Sequence, residues 1–375
     1  MVTYPAFAEA TEIGFRPAPR LSVPGCTQLV NAVGDPGWLS RLVIPIKYPL
    51  LWEFCIMRNT SLRIHLLSLA ILGFFLTLAR SPAAAAFPAN QPYPGKPVIP
   101  VFPHLPVPRN AQTVANYNWP TLQVFLPPVA KANGTSCVIC AGGAYIFEWL
   151  PGEAYPEALW LNHLGVTAFV LKYRLPKGRL PPSGTPWPLQ DVRRAVQLVR
   201  ANAKKWHLNP HRVGVMGFSA GGSLASLAGT HWLPGNAAAP DPLNHFSTRP
   251  DFLILGYPVI SMRAGITHVG SRRALLGRHP RPSQVLYFSS ELHVNPTTPP
   301  TFIFCARDDS AVPNANSILF YKALLRNHVA CKFEHFKKGG HGFGMGNPKF
   351  DSGHWTADCA RWLAKMGWLK PAPAR

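Results

Sequence analysis

An α/β architecture, with a mostly parallel central sheet and helices on both faces, is predicted by three observations. Short apolar runs recur from Leu122 onward, each the length of one strand, and helical segments separate most of them. The residues able to do chemistry fall just past the ends of those runs rather than inside them. Strands are read at residues 123–125, 137–140, 167–171, 213–216, 252–255, 301–305 and 331–336. Their largely unbroken apolar character fits strands buried on both faces. Between them, residues 191–204 read as a helix whose Val192, Ala195, Val196 and Val199 form an apolar stripe, with Asp191 as its N-cap. Further helices are read at residues 222–229 and 316–327. Roughly 250 residues arranged this way suffice for one substantial core.

The most informative stretch is Gly217-Phe218-Ser219-Ala220-Gly221, between the strand at 213–216 and the small-residue helix that follows. A serine on a sharp strand-to-helix turn projects its hydroxyl above the sheet edge, and flanking glycines let neighbouring backbone pass close by. Two downstream segments complete the set. The strand at 301–305 runs into Arg307-Asp308-Asp309, and the last strand ends in Gly339-Gly340-His341-Gly342. This is the chain order Ser, Asp, His of the α/β-hydrolase arrangement.

Each residue has a physical reason to be there. The Ser219 hydroxyl is a poor nucleophile at neutral pH, so His341 takes its proton during attack and returns it to the leaving alcohol. Asp309 holds the ring tautomer and stabilises the imidazolium. It is preferred to Asp308 because successive residues of an extended segment point opposite ways, which leaves Asp308 a supporting role. An oxyanion hole is expected on Ala141-Gly142-Gly143-Ala144-Tyr145, after an early strand, with the amides of Gly143 and Ala144 joined by that of Ala220. Tyr145 and Trp149, just beyond, are candidates for the pocket wall.

Taken together, the chain resembles the bacterial α/β-hydrolase carbohydrate esterases, the acetylxylan esterase and feruloyl esterase-like, xylanase-associated group. The resemblance covers roughly residues 123–369 and rests on several motifs in order: Ala141 to Tyr145, Lys172-Tyr173-Arg174-Leu175-Pro176, Leu189-Gln190-Asp191, Gly217 to Gly222, Tyr257-Pro258-Val259, Asp308-Asp309 with Val312-Pro313, and Gly339 to Phe343. It implies a serine esterase that removes acyl groups, acetyl first, from plant-type carbohydrate. In these relatives the acid precedes a Val-Pro pair by three and four residues, which selects Asp309, and Arg174 with Asp191 is expected as a structural ion pair. Feruloyl or other aryl esters are the alternative within the class. A non-catalytic carbohydrate-binding relative is the alternative outside it, since Ala141 and Ala144 stand where the relatives carry proline and glycine. Ala144 at positive φ would add strain that glycine avoids. Ser223 also departs from the relatives, many of which carry histidine there.

The first third reads differently. Residues 57–65 form a basic segment, followed by a fourteen-residue apolar run at 66–79 and small residues at 81–86, the pattern of a secretory signal peptide. Residues 1–56 are then read as a mis-assigned upstream or disordered extension, 87–121 as a proline-rich lead-in, and 122–375 as the catalytic domain. A secreted or periplasmic location follows, with no stable membrane association after cleavage. The chain from Phe87 carries 30 Lys and Arg against 12 Asp and Glu. The basic residues are scattered and no nucleic-acid motif is present, so a solvated basic surface is expected. Five cysteines remain there: Cys137, Cys140, Cys305, Cys331 and Cys359. Cys137 and Cys140 share redox C-x-x-C spacing, but on a strand they face opposite ways, and the cysteines are read as small buried hydrophobes. No metal or cofactor is expected, because a serine triad requires neither.

Overall fold

The computed structural model describes residues 92–102 and 119–369. The extension at 1–56 and the signal-like segment at 57–86 lie outside the described residues. Eight strands form one sheet in the order β1-β2-β4-β3-β5-β6-β7-β8. They are β1 (Val98–Pro100), β2 (Thr121–Phe125), β3 (Ser136–Cys140), β4 (Thr167–Lys172), β5 (Val213–Phe218), β6 (Phe252–Gly256), β7 (Thr301–Ala306) and β8 (Cys331–Phe336). β1 and β2 pair antiparallel at one side, and every pairing from β4 to β8 is parallel. β1 comes from the proline-rich lead-in, so part of that segment extends the sheet.

The helices are α1 (Leu150–Glu153), α2 (Tyr155–His163), α3 (Trp187–Ala201), α4 (Ser219–Thr230), α5 (Val269–Leu276), α6 (Pro282–Tyr287), α7 (Ala315–Arg326) and α8 (Trp355–Lys365). Alternation along β3 shows why both faces need cover. Val138 and Cys140 enter one apolar cluster with Val192, Ala195, Val196 and Val199 of α3, while Cys137 and Ile139 enter a second with Trp355 and Cys359 of α8. The C-x-x-C pair is thus split across the sheet, and all five described cysteines are free. Full burial of a valine or leucine side chain is worth about 1.5–3 kcal/mol, so these two clusters hold the sheet edges where the site is built.

One expected boundary is corrected. Asp191 does not cap its helix, because α3 starts earlier, at Trp187, with a proline in the first turn. Proline is tolerated there because the first-turn amides have no intrahelical acceptor. Asp191 lies inside α3 and is fully buried, accepting hydrogen bonds from the Arg174 amide at 2.7 Å and the Arg174 guanidinium at 2.6 Å.

Candidate active site

Parallel strands bring their C-terminal ends to one edge, so the loops after β3, β5, β7 and β8 meet there. Ser219 is the first residue of α4, directly after β5, and its backbone is left-handed at φ 51°. A non-glycine residue held at such a φ costs on the order of 1–2 kcal/mol and persists only where its surroundings enforce it. Here the enforcement comes from close packing. A Cβ on Gly221 would collide with the Cys140 carbonyl oxygen, and one on Gly142 would sit 2.9 Å from the Ser219 Cβ. Only bare backbone fits between the serine turn and the loop after β3.

His341 and Asp309 arrive from the loops after β8 and β7. The His341 Nδ1 lies 2.8 Å from Asp309 Oδ2, and its Nε2 lies 2.9 Å from the Ser219 Oγ. With Nδ1–H donating to the carboxylate, Nε2 is left as acceptor for the serine hydroxyl. Asp309 is almost fully buried, and its second oxygen accepts the amides of Ala311 and Val312, each at 2.9 Å. Asp308 faces the other way and accepts the Gly340 amide at 2.8 Å, fixing the histidine loop from below. The structure therefore gathers the three predicted residues into one relay and gives Asp308 a supporting contact.

The loop after β3 turns its carbonyls inward. Gly142 O accepts from the Trp149 amide at 3.0 Å, and Gly143 O from the Ile146 amide at 2.9 Å. The amides of Gly143 and Ala144 meet no acceptor among the described residues. That of Ala220 lies in the first turn of α4, where no intrahelical acceptor exists. Ala144 does adopt positive φ, at 56°, and Tyr145 follows at 61°. The glycine-to-alanine departure in this loop thus carries the anticipated strain, and Tyr145 adds more.

The two pocket candidates separate. Trp149 is half-buried, and its ring lies 3.6 Å from where a Cβ would stand on Gly342, next to His341. Tyr145 is not on the wall: it is 1% exposed and packs in the core against Tyr173, ring centroids 6.2 Å apart. Left-handed backbone at Tyr145 turns its side chain inward. The apolar side chains left exposed after the oxyanion loop are Ile146 and Phe147.

Three buried carboxylates lie behind this loop, and no motif marked them. Glu148, Glu153 and Glu157 are all under 3% exposed. Glu148 accepts the Tyr173 amide at 3.0 Å, and Glu153 accepts the Gly142 amide at 2.8 Å and the Tyr257 hydroxyl at 2.9 Å. Burial pushes all three carboxyls above their ordinary range, most strongly at Glu148 and Glu157. At Glu153 the push is opposed first by nearby His341 and then by its two hydrogen-bond donors. The available signal was at Glu157, four before Leu161 and therefore on the inward face of α2.

Comparison with known proteins adds the lineage. The sequence matches the BD-FAE family over residues 122–324, more than half of the chain. It is 36% identical over 256 residues to an acetylxylan esterase of Xylanibacter ruminicola, covering 67% of this chain and 48% of that protein. It is 35% identical over 216 residues to endo-1,4-beta-xylanase B of Butyrivibrio fibrisolvens, covering 58% of this chain and 33% of that one. The chain thus spans about half or less of the length of these curated relatives. Among solved structures, an acetyl ester-xyloside bifunctional hydrolase from Caldicellulosiruptor lactoaceticus superposes with a TM-score of 0.65 at 39% identity, covering 72% of this chain and 97% of that one. The family match takes in β2 to β7 and the strained serine turn, and the sheet order agrees with it: the chain belongs to the BD-FAE family and has the α/β-hydrolase fold.

Proposed function

We propose that this protein is a serine carboxylic-ester hydrolase that removes acyl groups, acetyl first, from plant-type carbohydrate through an acyl-enzyme intermediate. The observation that carries the reading is the relay from Asp309 through His341 to Ser219, with contacts of 2.8 and 2.9 Å. In the first half-reaction Ser219 Oγ bonds to the ester carbonyl carbon while its proton passes to His341 Nε2. The amides of Gly143, Ala144 and Ala220 hold the negative oxygen of the tetrahedral intermediate. Collapse breaks the bond to the carbohydrate oxygen, which leaves with the proton from His341. Water then repeats the sequence on the acyl-serine, releasing the carboxylic acid and restoring the hydroxyl. Each oxyanion donor is worth about 3 kcal/mol in such a transition state.

Acetyl is placed first because the relatives that match over most of the α/β domain are named for acetyl esters of xylan and xyloside. A feruloyl or other aryl ester is the second reading, favoured by Ile146 and Phe147, which stand 65% and 50% exposed just past the oxyanion loop. They offer an apolar surface that an acetyl group does not need. The signal-like segment at 57–86 supports action outside the cytoplasm, where such polysaccharides are met.

The test is kcat/KM on matched acetyl, butyryl and feruloyl esters, with Ser219→Ala as control. The reading expects the acetyl ester to lead and the variant to be inert. Feruloyl preference would reverse the two readings, and no turnover of any ester would leave a carbohydrate-binding relative that has lost its chemistry.

A further inference from the structure

Of the three buried glutamates behind the oxyanion loop, Glu153 bonds to the loops on both sides of the proposed nucleophile. It accepts the amide of Gly142, whose backbone packs against Ser219, and the hydroxyl of Tyr257. The Tyr257 oxygen in turn accepts the Gly344 amide at 3.0 Å, three residues beyond His341. Tyr257 sits directly after β6 with its backbone at φ 34°, a conformation bulky residues avoid, and its ring meets that of His341 edge-on at 5.0 Å. Strain at an aromatic residue whose hydroxyl bridges two loops is the mark of a side chain held in place for a purpose.

We propose, on the strength of the esterase reading above, that Glu153 is a positioning residue for the reaction: its carboxylate joins the oxyanion loop to the histidine loop and places a second negative charge near His341. The first role follows from the contacts. Glu153 and Tyr257 form the only hydrogen-bonded path among the described residues that runs from Gly142 through a side chain to Gly344. The second follows from charge. His341 is faced by Asp309 and Ser219 in hydrogen-bond contact, by the Tyr257 ring, by Glu153, and by His268 at the start of α5. Glu153 is faced by His341, Tyr257 and Glu157. Glu157 has no hydrogen-bond partner on either oxygen and burial pushes its carboxyl up more strongly than that of Glu153, whose two donors make it the better placed of the pair to carry charge. A carboxylate at this position favours the imidazolium that forms during attack.

Glu153→Gln separates the two roles, because glutamine can accept from Gly142 and donate to the Tyr257 oxygen while losing the charge. The experiment is a pH profile of kcat and KM on a small acetyl ester for the wild type, Glu153→Gln and Tyr257→Phe, with thermal unfolding to confirm that each folds. Glu153→Gln is expected to lower kcat about tenfold to a hundredfold with KM within about twofold, as small misplacements at a reacting centre do. Its acidic limb is expected to move to lower pH, since an imidazolium without the second carboxylate releases its proton more readily. Tyr257→Phe, which cuts the link to Gly344 and leaves the Gly142 amide on Glu153, is expected to lower kcat with a smaller displacement of the limb than Glu153→Gln gives. A folded Glu153→Gln with wild-type kcat, or with a slower rate and an unmoved limb, overturns the proposal. If that variant does not fold, wild-type kcat in Tyr257→Phe overturns it. Wild-type turnover is the control: its absence sinks the esterase reading itself, whereas turnover that neither variant disturbs sinks this inference alone.

Discussion

The two edges of the sheet treat polar groups in opposite ways. At the N-terminal edge, Arg200 of α3 donates to the carbonyls of Pro210 at 2.9 Å and Ser247 at 2.6 Å and pairs with Asp251 at 2.9 Å. Asp251 also takes the first amide of β5, at 2.8 Å. Both members of that pair are satisfied, and left-handed backbone there falls at His207 and His328, ahead of β5 and β8. At the C-terminal edge, Ala144, Tyr145, Ser219 and Tyr257 all hold positive φ, and Glu157 keeps both carboxyl oxygens buried without a partner among the described residues. Left-handed backbone at non-glycine residues thus gathers round the proposed reacting groups, where strain can be held for function.

The sharpest way to break this contrast is to alter one edge and watch for effects at the other. Ser219→Ala should lower ester turnover by about 10⁵-fold or more, as loss of a triad nucleophile does, with the thermal midpoint nearly unchanged. Asp309→Asn should cost about 10⁴-fold in kcat, because an amide presents the wrong partner to Nδ1–H. Arg200→Ala should do the reverse, destabilising the fold by about 3 kcal/mol in denaturant titration through the partly buried Asp251 it abandons, while kcat stays at the wild-type level in the folded fraction. A large kcat change in Arg200→Ala would mean that the edges are not separable.

One group at the far end of α4 departs from the pattern. Burial, reinforced by neighbouring His293, pushes His231 down to about 4. A histidine lowered in the folded state contributes stability above its unfolded value near 6.5 and loses it as pH falls toward 4, because the unfolded chain binds the proton first. Thermal midpoints should therefore fall between pH 6.5 and 4, and His231→Gln should flatten that slope. The smallest effect is local: Ala144→Gly should raise stability by about 1 kcal/mol by removing a left-handed alanine, with turnover retained. A lower midpoint would show that alanine there is compensated by packing.

Much of the catalytic edge was legible in the sequence because chemistry follows strand ends. An apolar run followed by glycine and serine, or by two aspartates, needs no tertiary information to be placed at the end of a parallel strand. Asp309 is preferred to Asp308 on the alternation of side chains, and the structure does turn the two apart, though across a turn after β7 rather than along an extended segment. Burial of charge was not legible. Glu153 follows a proline and a glycine and reads as a solvated turn residue until the loops after β6 and β8 are folded over it. Tyr145 failed for a related reason: its neighbours along the chain are at the cleft, but its backbone conformation directs the ring away. Asp191 looked like an N-cap because aspartate before an apolar stripe usually is one. The pairing with Arg174 that the resemblance implied does form, seventeen residues earlier in the chain and just past β4.

The account rests on Ser219 being activated by His341 and Asp309, and mass analysis after treatment with a serine-directed fluorophosphonate tests that directly. One adduct mapping to Ser219, absent from Ser219→Ala and formed far more slowly in His341→Ala, is the predicted result. No adduct on the folded protein, or one that survives Ser219→Ala, would contradict it.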